Sequence, residues 1–116
     1  MMLIPDLKKT ALFIRPGITD MRKQIIGLSC LVQKELESDP FASCLFLFCN
    51  RQKRILKALW WDRNGFCLWQ KRLEKDRFPW PSGEGEARQI SVEELKMLLS
   101  GIDFWKAHKT LDYRSV

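Results

Sequence analysis

Asn64-Gly65, set between two stretches of alternating character, restricts the fold of this chain more than any other feature. Asn-Gly adopts the left-handed backbone that a tight hairpin turn requires, so the pair predicts two antiparallel strands folded on each other. The alternation predicts these strands over residues 54–61 and 66–74. With a side-chain period of two, one face carries Ile55, Lys57, Leu59, Trp61, Phe66, Leu68, Gln70 and Arg72. The other carries Arg54, Leu56, Ala58, Trp60, Cys67, Trp69, Lys71 and Leu73. Neither face is purely apolar, so the pattern leaves open which one is packed. Upstream, Cys44-Leu45-Phe46-Leu47-Phe48-Cys49 is apolar at every position, the mark of a strand covered on both faces. The polar, basic stretch 50–53 is then the turn that leads into the hairpin.

The rest of the chain fits around this meander. Residues 11–15 read as a first strand, ended by Pro16-Gly17. Thr19 or Asp20 is placed to cap a helix, and Met21, Ile25, Leu28 and Val32 form one buried stripe along it. The helix is expected over about 19–36, stopped by Ser38-Asp39-Pro40. Gly27 within it costs about 1 kcal/mol against Ala, which a close backbone approach would explain. Phe78-Pro79-Trp80-Pro81 is a connector stiffened by its two prolines. Ser82–Glu86 is the expected mobile loop, and 87–90 a short strand. Ser91-Val92-Glu93-Glu94 is a capping box, with Ile90 and Leu95 at its staple positions. Leu95, Leu98 and Leu99 continue that helix to about residue 100, where Gly101 ends it. The expectation is a single α+β domain over 1–116: a small, mostly antiparallel sheet packed by two helices, with 1–9 and 106–116 as loosely ordered tails.

A chain of 116 residues with 46% hydrophobic content affords one modest core. No run approaches the roughly 20 apolar residues of a membrane span, and the N-terminus lacks the pattern of a secretory signal. A cytoplasmic protein without membrane contact is expected. Cys30, Cys44, Cys49 and Cys67 lie within apolar patterns and are expected as buried thiols. Cys44 and Cys49, five apart on one strand, point to opposite faces, and His108 is the sole histidine. This argues against a metal site, since zinc ligands come in closer spacings, and against most acid–base or nucleophilic arrangements. Asp39, Asp62, Asp76 and Asp103 read as turn and loop residues rather than a metal-binding carboxylate set. The expectation is a non-enzyme with no cofactor, metal or small-molecule substrate.

The charge distribution carries the functional argument. The net charge is +6. Residues 51–77 hold nine basic and three acidic residues, so the whole excess lies in this segment and the remainder is neutral. Such confinement is the footprint of a polyanion binder. Arg51, Lys53, Arg54, Lys57, Lys71, Arg72, Lys75 and Arg77 are the candidate phosphate contacts, because phosphates take long, closely spaced cationic donors. Trp60, Trp61, Trp69 and Trp80 are candidates for base stacking or partner contact. The plain alternative is a solvated basic surface over a Trp-rich core. A second candidate is 17–23, where a Gly turn at a helix start offers free backbone donors to an anion. Helix capping explains that segment as well, and Asp20 there opposes an anion. Neither predicted helix has the basic face of a DNA-recognition helix, so sequence-independent binding of DNA is expected. A protein-protein adaptor using exposed Trp and Phe and the rigid Phe-Pro-Trp-Pro corner is the competing class.

Several pieces stand together in order. They are Gly17-Ile18-Thr19-Asp20-Met21-Arg22-Lys23, Gly27-Leu28, Asp39-Pro40-Phe41 and Leu45-Phe46-Leu47-Phe48-Cys49-Asn50-Arg51. They continue with Ile55-Leu56-Lys57-Ala58-Leu59-Trp60-Trp61-Asp62, Gly65-Phe66, Lys71-Arg72-Leu73-Glu74, Phe78-Pro79-Trp80-Pro81 and Leu98-Leu99-Ser100-Gly101-Ile102-Asp103. In this order and spacing the chain resembles the TnpB accessory family of insertion-sequence-66 transposable elements, which is unrelated to the RNA-guided nucleases of the same name. The likeness spans about residues 10–105. It implies a role in transposition beside the larger transposase of the same element, with that transposase as a partner, and it brings no catalytic residues with it.

Overall fold

A hexapeptide with no polar side chain is stable only where both sides are dry, and Cys44–Cys49 lies at the centre of a five-stranded sheet. The computed structural model describes residues 5–83 and 87–102. In chain order these form β1 (Ala11–Ile14), α1 (Ile25–Lys34), β2 (Cys44–Cys49), β3 (Ile55–Asp62), β4 (Gly65–Arg72), β5 (Arg88–Ile90) and α2 (Val92–Leu99). The sheet order is β4-β3-β2-β1-β5. Only β1 and β2 run parallel, with α1 in the connection between them; every other pairing is antiparallel. The protein is thus an α+β single domain with a mostly antiparallel sheet, as its pattern predicts.

Strand β2 separates two cores. Leu45, Leu47 and Cys49 point into one, with Leu56, Ala58 and Trp60 of β3, Leu12 and Ile14 of β1, Phe78 and Trp80 of the connector, and Leu95 and Leu98 of α2. Phe46 and Phe48 point into the other, with Leu59 of β3 and Leu28, Leu31, Val32 and Leu36 of α1 and the turn after it. Both faces of β3 are therefore packed, whereas the edge strand β4 is half-buried, with Trp69 exposed on one face and Gln70 and Arg72 on the other. The mixed alternation reflects a hairpin that is dry on its inner strand and partly wet on its outer one. Cys49 is fully buried and its thiol is pushed up to about 12 by that burial. Cys44 and Cys67 are half-buried, whereas Cys30, expected inside, is exposed on α1.

The hairpin register pairs Asp62 with Gly65 and Ile55 with Arg72. The turn residues are Arg63 and Asn64, and Arg63 supplies the left-handed conformation at φ 53°. Gly65 becomes the first residue of β4, one position away from the Asn-Gly turn expected. The face assignments stand, because moving the turn by one residue shifts the register by two.

Helix α1 begins six residues later than its pattern predicts. Asp20 accepts from the Arg22 backbone N–H at 2.9 Å, and Lys23 N–H reaches the Asp20 carbonyl at 3.1 Å. Side-chain to backbone bonds of this kind compete with helix formation. Thr19 and Asp20 cap nothing; the residue at the helix start is Gln24, without a side-chain cap bond. Past the helix, Glu37 takes φ 50° and Ser38 N–H returns to the Val32 carbonyl at 3.0 Å, so the chain turns off before Pro40 as expected. No backbone presses on Gly27: a Cβ there would meet the Lys23 side chain at 3.2 Å. In α2 the capping box of Ser91 and Glu94 is formed, and Ile90 and Leu95 are both buried. Gly101, at φ 79°, closes that helix, and Ile102 N–H returns to the Met97 carbonyl. Leu7 in the segment before β1 packs against the first core. Of the regions expected to be loose, residues 1–4, 84–86 and 106–116 lie outside the described residues.

Candidate nucleic-acid interface

The basic residues come together through backbone geometry at one end of the sheet. Asn50 builds the turn between β2 and β3: its side-chain oxygen accepts from the N–H groups of Arg54 and Ile55 at 2.9 and 3.0 Å. Lys53 takes φ 61° at the tip. The segment leaving β4 then runs beside this turn, with Leu73 N–H on the Arg54 carbonyl at 2.8 Å and Phe78 N–H on the Lys53 carbonyl at 2.7 Å. Two separate stretches of sequence, 51–54 and 72–77, therefore share one surface.

Six of the eight candidate cations sit there. Arg51, Arg54, Arg72, Lys75 and Arg77 are exposed and Lys53 is half-buried. Among the described residues the side chains of Arg51, Lys53, Lys75 and Arg77 make no hydrogen bond or ion pair. Arg54 reaches the Glu74 carbonyl at 3.4 Å, and Arg72 lies 3.7 Å from the Glu74 carboxylate with both side chains largely in solvent. These contacts are long and exposed, so they hold the side chains only loosely.

Lys57 is a correction. It is 2% exposed, beneath the chain that precedes α1, and its ammonium donates to the carbonyls of Met21 at 2.8 Å and Lys23 at 2.9 Å. Burial lowers its pKa, and the nearby Asp20 carboxylate raises it in part. A phosphate has no access to it; its role is to pin residues 21–23 onto β3. Lys71 points to the opposite sheet face from Lys57 and Arg72, where its ammonium lies 3.4 Å from the Leu99 carbonyl. There it complements the negative end of the α2 dipole.

The tryptophans divide in the same way. Trp60 and Trp80 are each 6% exposed and belong to the first core, so neither is a stacking platform. The Trp80 indole N–H donates to the Arg15 carbonyl at 2.9 Å, which makes the Phe-Pro-Trp-Pro corner a strap across the sheet end rather than a docking surface. Trp61 is half-buried in an aromatic trio with Phe41 and Phe66, at centroid distances of 5.0 and 4.9 Å. Trp69 on β4 remains exposed, at 38%.

Arg15 is a site residue that sequence reasoning passed over. It lies just past β1, and its guanidinium donates to the Ile18 carbonyl, to the Thr19 hydroxyl at 3.0 Å and to the Glu35 carboxylate at 2.6 Å. Beside it, Gly17 N–H bonds the Pro81 carbonyl at 2.9 Å, and Gly17 takes φ 81°. A Cβ on Gly17 would stand 2.6 Å from the Gly83 carbonyl oxygen, so this contact admits only glycine. The Gly17 turn, the β2–β3 turn and the strap enclose an open cleft of about 790 Å³, with Arg51 and Lys53 among its lining residues. It lies beyond the carboxyl ends of the two parallel strands, where open sheets with parallel strands place their ligand sites. The Pro16-Gly17 break after an apolar strand was the available signal.

The second sequence candidate, 17–23, offers no helix-start anion site. Thr19 N–H is taken by the Cys49 carbonyl at 2.8 Å. The Arg22 guanidinium is taken by Asp20 at 2.7 Å, which holds that carboxyl at about 2. Among the described residues no cluster of His, Cys, Asp or Glu is arranged to hold a metal ion, and no helix is long and apolar enough to cross a membrane.

A small α+β domain with one basic end and no clustered metal ligands among its described residues defines the class. Comparison with known proteins gives the family: residues 10–109 match the family of IS66 Orf2-like proteins, and the chain belongs to it. That membership makes it an accessory protein of insertion-sequence transposition. It is similar to two proteins of Sinorhizobium fredii (strain NBRC 101917 / NGR234). With uncharacterized protein y4hO it is 41% identical over 108 residues, 93% of this chain and 94% of the relative. With uncharacterized protein y4jC it is 31% identical over 90 residues, 78% of this chain and 77% of the relative. No solved structure matches it.

Proposed function

We propose that this transposition accessory protein is not an enzyme and binds DNA by gripping phosphates with Arg51, Lys53, Arg54, Arg72, Lys75 and Arg77, beside the transposase of the same element. The observation that carries this reading is the convergence of 51–54 and 72–77 on one surface, with four of the six cations unpaired among the described residues. Cations held for structure find partners, as Lys57 and Lys71 do here. The test is binding to a labelled duplex carrying the element's terminal repeat, beside an unrelated duplex, each titrated against salt. Affinity for both is expected to fall with a log–log slope of about −0.9 per phosphate contact. Salt-insensitive binding, or none at low salt, refutes the reading.

A second reading, a protein-protein adaptor on the transposase, is favoured by one feature: Phe41 is 57% exposed above Trp61 and Phe66, an aromatic patch away from the charge. Its interface would tolerate salt and would be lost on Phe41→Ala, while the charge variants would leave it intact.

A further inference from the structure

We propose that the cleft between the Gly17 turn and the β2–β3 turn receives one unpaired nucleotide, so that the protein prefers DNA with a single-stranded end to fully paired duplex. This rests on the DNA-binding reading above and adds the strand state that the site selects. The size argues first. A cleft of about 790 Å³ falls within the roughly 300–1,000 Å³ of small-ligand sites. It holds a nucleotide but not a duplex, and a base reaches such a concavity only when it is out of the stack.

The chemistry argues second. Arg51 and Lys53 line the cleft and continue into the basic surface, so a strand tracking that surface is led to the opening. Ile18, 53% exposed, and Pro81 give the apolar wall that a base plane needs. Behind them the Arg15–Glu35 pair presents a donor and an acceptor side by side, the two groups that a base edge reads. Arg15 is held by three acceptors and Glu35 remains 59% exposed, so the pair is set before the ligand arrives. The Gly17 N–H bond to the Pro81 carbonyl, at 2.9 Å, ties the strap to the turn at the edge of the cleft.

The test compares a blunt duplex with the same duplex bearing a short single-stranded overhang, by fluorescence anisotropy on the full chain. With an unpaired base lodged in the cleft, the overhang is expected to bind roughly tenfold tighter than the blunt duplex. Ile18→Ser removes the wall and Ser82→Trp fills the opening. Both change exposed positions and leave the charge unaltered. Each is expected to remove the preference while the blunt-duplex affinity stays. Equal affinity for the two ligands in the unaltered protein overturns the inference and leaves the basic surface standing. So does a preference that survives both variants, because the overhang is then held elsewhere. Failure to bind any DNA removes the DNA-binding reading itself.

Discussion

Replacing Lys57 with Ala separates the structure from the charge pattern most sharply. The sequence places Lys57 among the phosphate contacts; the fold places it at 2% exposure, bonded to two carbonyls. The stem beyond Cβ holds three methylenes, about 0.8 kcal/mol each when buried. Two carbonyls losing a charged donor add about 1–3 kcal/mol apiece. Against this, the ammonium's desolvation, visible in its lowered pKa, is relieved and returns several kcal/mol. A net destabilisation of about 2–4 kcal/mol remains. At about 4 °C per kcal/mol for a domain of this size, the melting temperature falls by ~8–16 °C. Urea unfolding followed by circular dichroism measures it, and DNA binding is measured on the same sample under folding conditions. Lys57→Met, which keeps the stem, is expected to lose less. An unchanged midpoint together with weaker DNA binding and a shallower salt slope would refute the reasoning, since that is the behaviour of a surface phosphate contact.

Further outcomes follow from single contacts. Gly17→Ala forces a left-handed alanine against the Gly83 carbonyl and is expected to destabilise by about 2 kcal/mol or more, read as a lowered urea midpoint. Ser91→Ala removes the capping-box acceptor for Glu94 N–H and is expected to lower stability by about 1 kcal/mol in the same assay. At high pH, Cys49 titrates near 9 when unfolded and at about 12 when folded, so its contribution is intact below pH 9 and is lost as pH rises from 9 toward 12. Lys57 acts in the opposite sense: its folded pKa is lowered, so stability rises with pH through the window below 10.5. Cys49→Ala is therefore expected to gain on the unaltered protein only above pH 9, in urea midpoints measured from pH 7 to pH 11.

What was legible in the sequence is local. The period of two gave the hairpin faces, the unbroken apolar run gave a strand with two dry sides, and Ser91 and Glu94 gave a helix start to the residue. What was not legible depends on partners far along the chain. Lys57 looks like a surface cation until carbonyls 36 and 34 residues away close over it. Trp80 looks like an exposed corner until its indole meets Arg15, 65 residues away. Those Lys57 bonds, with the Asp20 turn, are also what shorten α1. The basic surface was half legible: the charge excess is a matter of counting, but a count cannot separate the six cations that share one end from the two that the fold puts to other use. The cleft was legible only as the Pro16-Gly17 break after β1, because three loops from distant parts of the chain build the rest of it.

The most direct test of the DNA-binding account is the salt slope of duplex binding in the unaltered protein and in the triple variant Arg51→Gln, Lys53→Gln, Arg54→Gln. The account predicts a linear log–log dependence in both. The triple variant's slope should be shallower by about 0.9 for each contact removed, with an unchanged urea midpoint. An identical slope in the two proteins would contradict it and place any DNA contact on another surface.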